Sequence, residues 1–184
     1  MKNRNLILLT FVLVAALSRL LPHPPNFTTI GAMALFGGAY FIDKKWAILV
    51  PIFCMLFTDS ILQGMYMTGT AVYPGFTAMM PYIYVSFALI VGLGYLLRDK
   101  INFINTTIAS LSASTLFFII SNFGVWASST FYPKNLAGLG ECYIAAIPFF
   151  HYTMIGDLVY VGIMFGMFEW MKSRNPKLAY QRIK

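Results

Sequence analysis

The chain is poor in charge, and poorest in acid. Only 10% of its 184 residues are charged, with six Asp and Glu against 13 Lys and Arg. Soluble domains carry about a quarter charged residues, so water is not the main solvent for this sequence. Cysteine is nearly missing too. Cys54 and Cys142 offer no disulfide framework and no clustered thiolate site, and they leave the redox compartment open. Motifs that bring reactive groups together are also lacking: there is no Gly-x-Ser-x-Gly, His-Glu-x-x-His, phosphate-cradling Gly-rich loop or Cys-x-x-Cys. Nothing in the sequence therefore marks a serine hydrolase, a zinc protease or a nucleotide-driven pump.

What is present is apolar. Hydrophobic residues make up 59% of the chain and the mean hydropathy is +0.71. The length accommodates about six spans of roughly 20 residues with short connections. The expected fold is all-α and polytopic, a single domain of six transmembrane helices over residues 5–21, 27–41, 46–63, 76–97, 101–123 and 144–170. The first span has some features of a secretory signal, but Arg19 and the prolines behind it make a poor cleavage region. Pro22, Pro24 and Pro25 force a stiff connection after it. The second span is rich in Gly and Ala, which lets backbones approach closely inside a bundle. Gly162-x-x-x-Gly166 in the sixth span and Ser110/Ser114 in the fifth suggest further close-packing faces. Residues 124–143 form the longest expected connection, an aromatic outer cap, and residues 171–184 a basic tail.

The net charge of +7 is distributed as topogenic charge, which argues against a nucleic-acid partner. Lys2/Arg4, Lys44/Lys45, Arg98/Lys100 and the tail (Lys172, Arg174, Lys177, Arg182, Lys184) each border an apolar run. Alternating spans bring all four clusters to one side. Only Arg19 and Lys134 fall on the other. By the positive-inside rule the expected location is a bacterial inner membrane, multi-pass, with both termini cytoplasmic and the basic tail near membrane lipid.

Ionisable residues inside a membrane are costly and mark function by default. Arg19, His23, Asp59, Glu141, His151 and Asp157 lie in or beside the spans, mostly at the outer level. Gln63 sits one turn beyond Asp59 on the same helix face, and Asn122 ends the fifth span in the same layer. Gathered at one level under an aromatic cap, these residues suggest an outward-facing pocket for a polar or amphipathic small molecule. Plainer readings stand beside this one. Arg19 is also suited to a structural ion pair with Asp59 or Asp157, His23 to ordering its turn, His151 to a core position, and Glu141 to a solvated loop.

Residues 19–26 (Arg-Leu-Leu-Pro-His-Pro-Pro-Asn), the Gly-rich second span, Asp59, Ser121-Asn122-Phe123-Gly124-Val125-Trp126 and Gly156-Asp157-Leu158 resemble an uncharacterised bacterial family of membrane transport proteins. That family is similar to the S components of energy-coupling-factor (ECF) transporters, with the solitary cobalamin-type branch the nearest. The resemblance implies a six-helix, S-component-like bundle that binds a vitamin such as cobalamin from outside and reorients to deliver it, with an energising transporter module as partner. Residues Arg19, His23, Asn26, Asp59, Gln63, Tyr73, Asn122, Trp126, His151 and Asp157 would bind substrate, with Trp126 and Tyr132 in a lid. By position, His23 and Asp59 match polar residues of the cobalamin-type branch. Where that branch has a cobalt-ligating cysteine, this chain has Thr68 and Tyr73. No cofactor is expected. The rival expectations are a structural scaffold subunit of an envelope complex and an intramembrane metal-dependent enzyme.

Overall fold

The structure, a computed structural model, describes residues 2–27 and 29–178. The tail residues Arg182 and Lys184 lie outside the described residues. Six α-helices follow one another: α1 (Lys2–Ser18), α2 (Ile30–Tyr40), α3 (Lys44–Met67), α4 (Met80–Leu97), α5 (Phe103–Ser128) and α6 (Leu136–Arg174), with a short 3₁₀ turn at Pro176–Leu178. There is no strand among the described residues. Four helices, α3 to α6, are long and apolar enough to cross a membrane; α1 and α2 are shorter apolar helices.

Side-chain caps set the starts of three helices. Asp43 caps α3 by accepting the Lys45 N–H at 2.8 Å, Asn102 caps α5 through Asn105 at 2.9 Å, and Asn135 caps α6 through Gly138 at 2.9 Å. These side chains satisfy backbone donors that the first turn leaves without partners. Past Ser18 the chain turns through Leu21, where the prolines stop any further helix.

One expected boundary is corrected. No cap spans residues 124–143, because α5 continues to Ser128 and α6 begins at Leu136. Only residues 129–135 connect them. Gly124 does not end α5; it lets the helix pass close to Tyr82, whose ring carbons would lie 2.6–2.8 Å from an added Cβ. Trp126 is therefore helical rather than part of a lid. The Gly162/Gly166 expectation is corrected as well. Both positions face open space, so they make no close packing within this chain.

The arrangement centres on α2. This helix packs against all five others, and the neighbouring pairs α1/α3, α3/α4, α4/α5 and α5/α6 surround it. A hydrogen bond from Ser18 Oγ to the Tyr160 hydroxyl (3.0 Å) ties α1 to α6. Every residue of α2 is buried. The Gly and Ala composition makes this possible, because small side chains admit neighbouring backbones. A Cβ on Gly38 would meet the Val91 carbonyl oxygen and, at 2.9 Å, the Gly94 Cα. Below this crossing Phe36 stacks with Phe11 and meets Phe165 and Phe168 edge-on, with ring centroids 5.5–5.7 Å apart. Apolar side chains also cover the outside of the bundle: Phe53 is 69%, Leu96 74% and Ile144 68% exposed. Such a surface is suited to lipid rather than water.

Candidate functional site

A helix buried on every side has unpaired N–H groups at one end and unpaired C=O groups at the other. Thr29, the N-cap residue of α2, makes no capping hydrogen bond; its hydroxyl donates instead to the Ala15 carbonyl at 3.1 Å. Asp157 on α6 supplies the cap in its place. Its Oδ1 accepts the Ala32 N–H at 3.2 Å, the Gly31 N–H also points at the carboxylate, and Oδ2 accepts the Ser114 hydroxyl at 2.7 Å. Asp157 is 2% exposed. Its negative charge sits at the positive end of the α2 dipole, the favourable arrangement.

The opposite end of α2 is served by cations. Arg4 Nη2 donates to the Tyr40 carbonyl at 2.7 Å. Arg98 Nε donates to the Gly38 carbonyl at 2.9 Å, and Arg98 Nη2 to the Phe41 carbonyl. Helices α1, α4 and α6 thus clamp both ends of α2 with charge of the stabilising sign. Glycine at position 31 is part of the clamp, since an added Cβ would lie 2.5 Å from both Asp157 carboxylate oxygens. Asp157→Ala is expected to cost about 2 kcal/mol, the upper range for loss of a helix cap. Gly31→Ala is expected to cost about as much in the wild type, by overpacking, and almost nothing in the Asp157→Ala background, where the space is vacant. Thermal melts of the four proteins in detergent test this, and equal harm from Gly31→Ala in both backgrounds would refute the clamp.

A second buried charge cluster joins α1, α3 and α4. Arg19 Nη2 meets Asp59 Oδ1 at 2.7 Å. Arg19 Nη1 donates to the Thr58 hydroxyl at 2.7 Å and contacts Met55 Sδ at 3.0 Å. The Tyr84 hydroxyl donates to Asp59 Oδ2 at 3.4 Å. Asp59 is 1% exposed and the Arg19 side chain 12%. The connection over residues 68–79 folds back onto this part of α3. The Phe76 N–H donates to Gln63 Oε1 at 3.2 Å, and a Cβ on Gly75 would collide with the Asp59 carbonyl oxygen.

The other expected site residues do not converge on these clusters. His23 and Asn26 are exposed; the His23 Nδ1 lies 3.0 Å from the Pro24 carbonyl, and Asn26 adopts a positive φ of 64°, so both shape the turn. Tyr73 is exposed on the 68–79 connection. His151 is exposed on α6 beside Tyr152, with ring centroids 4.0 Å apart, which rules out a core position. Asn122 Nδ2 donates to the Phe118 carbonyl at 2.8 Å, and Trp126 Nε1 to the Pro133 carbonyl at 2.9 Å. Tyr132 is half-buried in the 129–135 connection. None of the ten lines the cavity beside Arg4 and Arg98, the groove between α1 and α3 or the cleft between α4 and α5. Among the described residues, no three His, Cys, Asp or Glu side chains gather as a metal site would require.

Sequence reading missed Thr58, Tyr84, Arg4 and Arg98 as working groups. Thr58 was within reach of inference, being next to Asp59. Arg4 and Arg98 carried a signal that pointed elsewhere, to membrane topology.

Fold and site define an all-helical bundle with four membrane-length helices and a charge-clamped central helix. The chain belongs to a family of unknown function, DUF6580, whose model matches residues 1–178. No curated protein and no solved structure matches the chain.

Proposed function

We propose that this is a small-molecule uptake protein of the inner membrane, resembling an ECF S component and binding a vitamin-like substrate at the end where residues 19–29 and 68–79 lie. The chain crosses the membrane six times with both termini cytoplasmic. Helices α1 and α2 are about 25 and 16 Å long at 1.5 Å per residue, short of a ~30 Å hydrocarbon core. Residues 19–27 and 41–43 extend those two crossings toward the membrane surfaces. The one-sided basic clusters set the orientation.

The observation that carries this reading is the Arg19–Asp59 pair. It lies under the 68–79 connection, it is bound on three helices, and the edge of Arg19 remains reachable. A substrate carboxylate or phosphate would compete with Asp59 for that guanidinium, loosen α1 from α3 and couple binding to helix movement. The exposed His23, Asn26 and Tyr73 flank the approach in sequence. The test is a thermal-shift screen of purified protein against cobalamin, riboflavin, thiamin and biotin, followed by uptake in cells. One ligand is expected to stabilise the protein, and to lose that effect in Arg19→Met/Asp59→Leu. If no compound shifts the melt, the uptake reading fails.

A scaffold subunit of an envelope complex is the second reading. It is favoured by the separate partners that Asp157 and Arg19 each have. Under it Asp157→Asn lowers stability and changes no transport.

A further inference from the structure

We propose that the basic end of the bundle holds one anionic phospholipid, with its phosphate in a cavity among Arg4, Arg98 and Lys172 and one acyl chain in the groove between α1 and α3. This site is independent of the uptake reading and lies at the opposite end of the bundle from Arg19.

The cavity has a volume of about 150 Å³ and takes a cation from each of three helices, with Tyr40 and Asp99 also in its wall. Its charges are held in place. Arg98 is anchored by the Gly38 and Phe41 carbonyls and lies 4.3 Å over the Tyr95 ring. Arg4 is anchored by the Tyr40 and Leu178 carbonyls. A guanidinium fixed in this way keeps its charge and loses little entropy on meeting a phosphate. Two acids oppose the cations. Asp99 lines the cavity, and Glu169 is bonded to Lys172 and accepts the Tyr40 hydroxyl at 2.6 Å. The surplus is still positive, because Lys44, Lys45, Lys100, Arg174 and Lys177 belong to the same end of the bundle and only Asp43 adds a further acid.

The groove is larger, about 1060 Å³, and apart from Asn5 its walls are apolar, with Leu9, Trp46, Leu49, Phe53 and Leu56 among them. It adjoins the cavity: Phe41 lines both, and Arg4 in one is followed by Asn5 in the other. From Trp46 to Leu56 it follows about 15 Å of α3, half of a ~30 Å hydrocarbon core and so the depth of one leaflet. Trp46, 56% exposed, stands where an interfacial tryptophan meets headgroups. A charged cavity opening onto a one-leaflet apolar groove fits a molecule with a phosphate at one end and a hydrocarbon chain at the other. Basic clefts between helices on the cytoplasmic side recognise such headgroups.

Protein purified in detergent and stripped of lipid tests the proposal by thermal stability. It is titrated with phosphatidylglycerol, with phosphatidylcholine of the same acyl chains, and with inorganic phosphate. Phosphatidylglycerol is expected to raise the melting temperature at concentrations where the other two do nothing. Lys172→Gln is expected to weaken its apparent affinity about fivefold, the contribution of one cation beside an anionic lipid. Leu49→Trp, at a position 54% exposed, fills the groove and is expected to weaken it as well. Lys45→Gln, outside the cavity, is expected to leave it unchanged. Equal stabilisation by phosphatidylcholine, the full effect from phosphate alone, or equal loss in Lys45→Gln and Lys172→Gln would each overturn the site.

Discussion

Gly94→Ala is expected to lower the melting temperature of the bundle by at least several degrees, and Gly38→Ala/Gly94→Ala to abolish a stable fold. A Cβ on Gly94 would meet the Leu35 carbonyl oxygen, the Gly38 Cα at 2.8 Å and the Ala39 nitrogen at 3.0 Å. All three are backbone atoms on a helix buried on every side, so none can rotate away. Helices α2 and α4 would have to separate, and α2 has neighbours all round to push against. Overpacking of this kind costs about 1–3 kcal/mol and sometimes more. Alanine's better helix propensity returns at most about 1 kcal/mol. Within a membrane the loss is felt fully, because van der Waals packing rather than exclusion of water holds helices together. Gly92 provides the control. It lies on the same helix with nothing within 4 Å of an added Cβ, so Gly92→Ala is expected to be neutral or slightly stabilising. Melts of the three variants decide the matter, and a Gly94→Ala protein as stable as Gly92→Ala would contradict the close crossing.

The second large effect is expected at the α1–α3–α4 charge cluster. Asp59→Leu leaves the Arg19 guanidinium at the edge of an apolar bundle with only Thr58 and Met55 for company. Arg19→Met leaves a carboxylate that is 1% exposed with one long hydrogen bond from Tyr84. Breaking a buried pair from either side costs about 3–5 kcal/mol, whereas replacing both members with apolar residues of similar size is often close to neutral. Each single substitution should therefore unfold a large fraction of the protein at modest temperature, and Arg19→Met/Asp59→Leu should recover most of the stability. The double variant also separates the two functional readings. Recovered stability with lost ligand response marks the pair as part of the uptake machinery, and recovered stability with unchanged transport assigns it to structure alone. Additive single effects would show that the pair is not coupled at all.

These predictions rest on features that differ in how far the sequence discloses them. The Gly and Ala run of the second span announced close packing, and α2 is indeed the most deeply enclosed helix. It did not announce its length. A span of 15 residues was expected over 27–41, but the helix covers 11. Arg19 was open to pairing with either of two acids, and it pairs with Asp59. Asp157, expected in a ligand pocket, is occupied by α2 and Ser114. His23 and His151, singled out because ionisable groups in or beside a membrane span are costly, are exposed. Arg98, read from the sequence as a topogenic charge at a helix end, has a further role: it caps a different helix 57–60 residues away in sequence.

The sequence by itself determined the apolar character of the helices, the helical class and the placement of basic residues beside the apolar runs. Hydropathy, proline and charge act over one or two turns of chain, so they are readable without neighbours. Tertiary structure alone decided which helix is central, which acid meets Arg19, and what Asp157 does. Those outcomes depend on side chains brought together across 40 residues in one case and 125 in the other. Each buried donor or acceptor must find a partner within hydrogen-bonding distance, and several candidates of equal chemistry are available until packing selects one.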